Sequence, residues 1–193
     1  MSVMEATRDW DGIRERLAVR AESEGLIDVA VERHESPLGE LLVAATDAGI
    51  VRLGLPGDGE DEVLAELAER ISPRVLIAPR ETVTDARHQL DEYFDRRRRD
   101  FELALDWRLT NGFRREVLRA TARIPYGSTG TYSTVAAEAG SPAAVRAAGT
   151  ALATNPVPIV VPCHRVLRSD GALGNYRGGP EVKERLLELE GAR

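Results

Sequence analysis

Three prolines within seven residues, Pro156, Pro158 and Pro162, constrain this chain more than any other feature. Each lacks a backbone donor and fixes φ near −65°, so Asn155–Arg165 can be neither a helix interior nor a central strand. It has to be a shaped turn around the short apolar run Ile159–Val161. That turn delivers Cys163, immediately followed by His164 and Arg165. A lone cysteine is more often a small buried hydrophobe than a nucleophile. A neighbouring base or cation, however, favours thiolate and makes the sulfur reactive. Adjacent residues of an extended chain point to opposite faces. Cys163 and His164 therefore cooperate only if the backbone turns between them or a water bridges them.

Cys163 is the single cysteine of 193 residues, so no internal disulfide can form. His34, His88 and His164 lie far apart and show no metal-ligand spacing. A reduced, cytoplasmic chain with no metal and no cofactor is expected. No apolar run approaches the ~18 residues of a membrane span, and the polar, acid-bearing N-terminus does not read as a signal peptide. The net charge of −6 argues against a general polyanion binder, yet it is the sum of −11 over residues 1–107 and +5 over residues 108–193. A basic half beside an acidic one hints at nucleic acid, although plain solvation produces the same split.

Hydrophobic patterning predicts a helix over 8–21 (Trp10, Ile13, Leu17), then strands Leu26–Val31, Leu38–Ala45 and Gly49–Leu55 separated by turn signals. A helix Glu60–Ile71, a strand Val75–Ala78, a helix Val83–Arg97 and a further strand Phe101–Leu105 follow. The arginine run Arg96–Arg99 reads as a solvated helix end, where cations suit the dipole. From Thr110 the texture turns helical: Gly112–Arg123, then a short helix capped by Ser133 and ending near Ala139. A third helix is opened by Ser141-Pro142 and runs to about Ala153. The last two suggest a helix-turn-helix. The second of the pair is almost bare, with Ala143, Ala144, Ala147, Ala148, Gly149 and Ala151. It can pack tightly in a core or approach another surface at backbone distance, and Arg146 is its one long cation.

The glycine-rich loop Gly171–Gly179 carries Asn175, Tyr176 and Arg177 and lacks a phosphate-binding pattern. Pro180 opens a final helix whose apolar arc, formed by Val182, Leu186, Leu187 and Leu189, also contains Lys183 and Glu190. A carboxylate facing a core is costly unless it meets a partner. Fraying would free Glu190; otherwise His164 is the obvious partner.

Residues 112–190 resemble the catalytic domain of the O6-alkylguanine-DNA alkyltransferases, the methylated-DNA–protein-cysteine methyltransferases. The matching strings are Ile124-Pro125-Tyr126-Gly127, Thr131-Tyr132-Ser133, Asn155–Arg165, Gly174–Gly179 and Val182–Gly191. Residues 26–105 fit the family only loosely, through Ser36-Pro37-Leu38-Gly39 and the strand pattern.

The resemblance implies an α/β (α+β) fold. A ribonuclease-H-like small antiparallel sheet with helices would occupy 26–106. A mostly helical domain with a helix-turn-helix and a short active-site strand would occupy 107–193, and 1–25 would be an unplaced extension. It also implies a repair protein that takes the alkyl group of O6-alkylguanine from duplex DNA onto Cys163, irreversibly and once, after flipping the base from the minor-groove side. His164 would activate Cys163 through a bridging water, and Glu190 would orient that histidine. Asn155 would hold the turn, Tyr176 would donate to the departing guanine, and Lys183 would assist at the pocket. Tyr132 would press on the DNA phosphate, and Arg146 would replace the extruded base. Ala147, Gly149, Thr150 and Arg165 would join the DNA-contacting set. No obligatory protein partner is implied, and a monomer is expected.

Moving a saturated carbon from O6 to sulfur is an in-line displacement that needs a soft nucleophile, an oriented carbon and a donor for the leaving guanine, but no metal. The sequence departs from the family at several points. It has no N-terminal zinc-binding cysteines, it has Arg114 and Leu118 where glutamine and tryptophan are frequent, and it has Arg177 and Pro180 in the loop lining the alkyl pocket. A Cys-His-Glu hydrolase and a non-catalytic helix-turn-helix damage binder are the alternatives.

The thiol's expected ionisation follows from arithmetic. At an ordinary pKa of ~8.5, about 7% is thiolate at pH 7.4, so full ionisation gains at most about fourteenfold. Lower basicity weakens the nucleophile, so a moderate lowering by His164, to about 6–7.5, is expected.

Overall fold

The computed structural model describes Gly12, Ile13 and residues 16–193. Trp10 and the start of the helix expected over 8–21 lie outside the described residues. The chain is helical at 16–23, where Ala18 is buried and Glu22 accepts from Arg80 Nε and Nη2 at 2.6 and 3.0 Å.

Strands β1 (Val29–Ser36), β2 (Gly39–Thr46) and β3 (Gly49–Gly54) form an antiparallel meander, and β4 (Val75–Ile77) adds parallel to β1, giving the order β3-β2-β1-β4. Side chains alternate between faces along β1 and β2, and a register irregularity opposite Ala44 and Ala45 puts Ile50 and Leu53 of β3 in the same core. Ala30, Leu41, Val43, Ala45, Ile50 and Leu53 enter one core with helix α2 (Glu81–Phe94). Val29, Val31, Leu42, Ala44 and Val51 enter the other with helix α1 (Glu60–Arg70), through Val63 and Leu67. A helix on each face explains why these strands are buried on both sides.

β1 begins later and runs longer than the expected Leu26–Val31. Its second half, Glu32–Ser36, is too polar for a hydrophobic pattern but pairs fully with β2, His34 opposite Leu41. The expected strand Phe101–Leu105 reduces to a single parallel bridge between Ile50 and Leu105. The backbone of Glu102 is engaged by the Gln89 side chain instead, its N–H donating to Oε1 at 2.8 Å. Where this segment crosses β3, Ile50 donates to the Ala104 carbonyl at 2.8 Å. The approach requires a glycine beside it, since a Cβ on Gly49 (φ 131°) would sit 2.2 Å from that oxygen.

The second half packs α3 (Gly112–Thr121), α4 (Tyr132–Glu138), α5 (Val145–Ala153) and α6 (Gly179–Leu189) around a two-stranded parallel pair, β5 (Gly130–Thr131) and β6 (Val166–Leu167). The cap of α4 is Thr131 rather than Ser133. Thr131 Oγ1 accepts from the Thr134 N–H while Thr134 Oγ1 accepts from the Thr131 N–H, a reciprocal capping box. α5 starts at Val145 rather than at Pro142, because Ser141–Ala144 first closes a turn.

The bare helix packs one face into the core and leaves the other exposed. Ala148, Ala151 and Leu152 pack inward, while Arg146, Ala147 and Thr150 face out. The core of this half (Val117, Leu118, Val135, Leu186) is continuous with Leu90 and Tyr93 of α2. Among the described residues no helix is long and apolar enough to cross a membrane.

Candidate active site

After α5 the proline-spaced segment turns on itself, and Asn155, fully buried, holds it. Asn155 Oδ1 accepts from the Val157 N–H at 3.0 Å; its Nδ2 donates to the Val161 carbonyl at 2.8 Å and to Cys163 Sγ at 3.1 Å. Ile159 sits at φ 72° inside this turn, a conformation that a β-branched residue adopts only when its surroundings impose it. Cys163–Arg165 then form a single 3-10 turn, and β6 follows the cysteine rather than containing it. The backbone therefore does turn between Cys163 and His164.

His164 Nε2 lies 2.8 Å from Glu190 Oε1, and both side chains are fully buried. Burial alone would raise the Glu190 pKa, but hydrogen bonds from His164 and Arg165 outweigh it and hold it at about 2. An ionised carboxylate only accepts, so Nε2 carries the proton. Nδ1, buried and with no partner among the described residues, is left as the free lone pair of the ring.

Burial pulls His164 below its ordinary 6.5, with Glu190 partly offsetting this, so the ring rests neutral. Burial pushes the Cys163 thiol up to about 11, against the Asn155 hydrogen bond and the Lys183 charge, which favour thiolate. The expected lowering to about 6–7.5 is therefore overturned. At 3% exposure the sulfur loses more by leaving water than its neighbours return. Lys183 donates to the carbonyls of Val166 and Leu173, and burial lowers it to about 8. The Tyr176 hydroxyl is buried without a partner among the described residues, and its ring meets His164 edge-on at 6.4 Å.

Residues 112–192 match the family model for the 6-O-methylguanine DNA methyltransferase DNA binding domain, and residues 17–107 match that for the ribonuclease-like domain. The constitutive methylated-DNA–protein-cysteine methyltransferase of Bacillus subtilis is 40% identical over 160 residues, which cover 81% of this chain and 92% of that protein. This chain belongs to the 6-O-methylguanine DNA methyltransferase family. The Methanosarcina barkeri methyltransferase is 38% identical over 157 residues, 81% of this chain and 93% of its own. The crystal structure of the Mycobacterium tuberculosis O6-methylguanine methyltransferase superposes with a TM-score of 0.71 at 33% identity, covering 86% of this chain and 94% of that one.

In this methyltransferase the structure gathers Cys163, His164, Glu190, Asn155, Tyr176 and Lys183 into one buried cluster. Arg146, Ala147, Gly149 and Thr150 lie on α5, while Tyr132 stands between α5 and the Gly171–Gly179 loop, close enough to Cys163 for the two to interact electrostatically. The Tyr132 hydroxyl donates to the Asn175 carbonyl at 3.3 Å, and its ring lies 3.8 Å from where a Cβ on Gly149 would be. A Cβ on Gly174 (φ 66°) would come within 2.5 Å of the Tyr132 oxygen, which is why the loop has glycine there.

Arg165, expected among the DNA-contacting residues, is not on the surface. It is buried, with Nε and Nη2 donating to the two Glu190 oxygens at 2.8 and 2.9 Å and Nη1 donating to the Ile124 carbonyl. Arg114 donates to the Thr154 carbonyl at the end of α5, and Leu118 is a core residue. Among the described residues no group of three or more His, Cys, Asp or Glu is placed to hold a metal.

Sequence reasoning missed two contributors from the N-terminal half. The Tyr93 hydroxyl donates to Glu190 Oε1 at 2.7 Å. Asp58, in the turn after β3, accepts from Arg177 Nε at 2.9 and 3.1 Å and from buried Arg52 Nη2 at 3.0 Å, tying the Gly171–Gly179 loop to the sheet. The legible signal for Tyr93 was a phenol on a core-facing arc, since a buried hydroxyl needs a partner.

Proposed function

We propose that this protein repairs duplex DNA by moving the alkyl group of O6-alkylguanine onto its own Cys163, once per chain. The observation that carries the reading is the hydrogen-bonded line from Glu190 to His164. It leaves one unprotonated ring nitrogen, without a partner among the described residues, on the residue next to the only thiol. The lesion lies inside the stack, so the nucleotide is flipped out to reach the buried sulfur. The S–C bond forms as the C–O6 bond breaks. The thiol proton leaves to His164 through a bridging water, the departing guanine takes a proton from the Tyr176 hydroxyl, and the imidazolium of His164 returns a proton to Tyr176, so the thiol's proton is in effect passed to guanine and charge balances. Because the resting thiol is protonated, proton removal is coupled to attack, and positioning of the carbon supplies much of the rate. The product thioether is stable to water, and turnover stops there.

Arg146, exposed and without an ion-pair partner among the described residues, fills the space of the extruded base. Ala147, Gly149 and Thr150 let α5 approach the minor groove closely, and Tyr132 presses on the phosphate. A relative, the OGT of Mycobacterium tuberculosis, has been solved in complex with DNA. Residues 26–106 form the N-terminal unit in this reading and 107–193 the DNA-binding and catalytic one. The protein acts as a monomer in the cytoplasm, where a lone thiol stays reduced.

Arg146→Ala tests the DNA side of the proposal. Transfer from duplex O6-methylguanine is expected to slow about tenfold or more, while reaction with free O6-benzylguanine, which needs no flipping, stays within about twofold. Equal losses on both substrates would reject the role.

A further inference from the structure

Glu190 receives more donors than orienting one histidine requires. Oε1 accepts from Tyr93 Oη at 2.7 Å, His164 Nε2 at 2.8 Å and Arg165 Nη2 at 2.9 Å. Oε2 accepts from Arg165 Nε at 2.8 Å and the Gly127 N–H at 3.4 Å. All but one of these donors come from the C-terminal half. The exception, Tyr93, stands 97 positions away in sequence and is carried by α2. Its ring packs against Phe94 and Phe101 at 5.4 Å and Tyr126 at 6.1 Å, contacts that phenylalanine would make equally well. Only the hydroxyl needs explaining, and it is spent on the oxygen that holds His164.

We propose that Tyr93 is a positioning residue for alkyl transfer: its hydroxyl draws charge from Glu190 Oε1 and so sets how readily His164 takes and holds a proton. The proposal rests on reading His164 as the base. The groups facing His164 are Glu190 and Lys183 from α6 and its end, Arg165 and Cys163 from its own turn, and Tyr176 from the glycine loop. Tyr93 faces Glu190, Arg165 and Tyr176, and its neighbour Tyr126 lies under Arg99 and Arg165.

When His164 accepts the thiol proton, it becomes a buried cation beside Arg165 and Lys183, and Glu190 must balance it. Three donors competing for one oxygen weaken each bond, so the Tyr93 hydroxyl loosens the grip of Glu190 on the imidazolium. Burial and the adjacent carboxylate raise the Tyr93 pKa, so the phenol stays protonated and serves only as a donor. Without it, Glu190 leans harder on His164 and the charged ring is favoured at higher pH.

The experiment is the single-turnover rate from pH 5 to 8.5 on duplex DNA carrying one O6-methylguanine, for wild type, Tyr93→Phe, His164→Ala and a protein bearing 3-fluorotyrosine at position 93. Tyr93→Phe is expected to move the acid limb up by about half a pH unit, with a loss of about threefold below the limb and little change on the plateau. The fluorinated phenol, a stronger donor, moves it down. A Tyr93→Phe rate reduced by one factor at every pH, with the limb unmoved, overturns the proposal. If Tyr93→Phe does not fold, a fluorotyrosine limb that fails to move down overturns it instead. An acid limb that survives in His164→Ala overturns the underlying assignment of the base, whatever Tyr93 does.

Discussion

Replacing Glu190 by glutamine is expected to cost about 3 kcal/mol of stability and to slow alkyl transfer by about a hundredfold or more. Two routes give the first figure. Removing one partner of a buried ion pair typically costs 3–5 kcal/mol, because the other charge, here Arg165, stays buried and uncompensated. Separately, Glu190 is held near 2 against an ordinary 4.5, a difference that corresponds to about 3 kcal/mol. Because the folded-state value is the lower one, this contribution is complete above about pH 4.5. It drains away as pH falls toward 2. Urea unfolding should show a lower midpoint for Glu190→Gln at pH 7 with an unchanged slope, and the gap to wild type should narrow below pH 4. The rate falls for a different reason: glutamine no longer forces the proton onto Nε2, so Nδ1 is no longer reliably free. A variant as stable as wild type at pH 7 would contradict the buried pairing.

His164→Ala should have the largest effect on rate short of removing the sulfur. With burial holding the thiol up at about 11, almost none of it is thiolate at pH 7.4. Removing the base that takes its proton is therefore expected to cost between about 10² and 10³ at that pH. The shape of the profile separates this account from a pre-ionised thiol. The wild-type rate should rise through an inflection below 6.5, where His164 becomes neutral. It should level off and then fall above about 8, as Lys183 loses the charge that favours thiolate. His164→Ala should show no such plateau, climbing about tenfold per pH unit up to about 8, as expected for a thiol that must ionise into water. A His164→Ala profile parallel to wild type would show that the histidine does not handle the thiol proton.

The site was legible in the sequence where chemistry is written into local spacing. Three prolines forced the turn that presents Cys163, and one carboxylate on an apolar arc pointed to His164 unless fraying freed it. The meander was legible for the same reason, alternation between turn signals, apart from the polar second half of β1, whose pairing depends on β2. Tertiary quantities were not legible. The ionisation of Cys163 depends on how completely the fold excludes water from it, which no neighbour in sequence reports. Arg165 sits beside the nucleophile and so looked like a surface cation, but the fold turns it inward onto Glu190. The role of Tyr93 was not legible, because the partner of its hydroxyl lies in the other half of the chain. Ile159 at φ 72° is of the same kind, a backbone state imposed by the buried Asn155 hydrogen bonds rather than preferred by the residue.

Mass spectrometry of the protein after incubation with excess duplex DNA carrying O6-methylguanine is the most direct measurement of the central claim. The account predicts a gain of one methyl, about 14 Da for the CH₂ added, confined to the peptide containing Cys163. It also predicts guanine restored in a one-to-one ratio with protein, and Cys163→Ala that binds the duplex but gains nothing. Repair of several lesions per protein molecule, or a methyl found on any other residue, would contradict it.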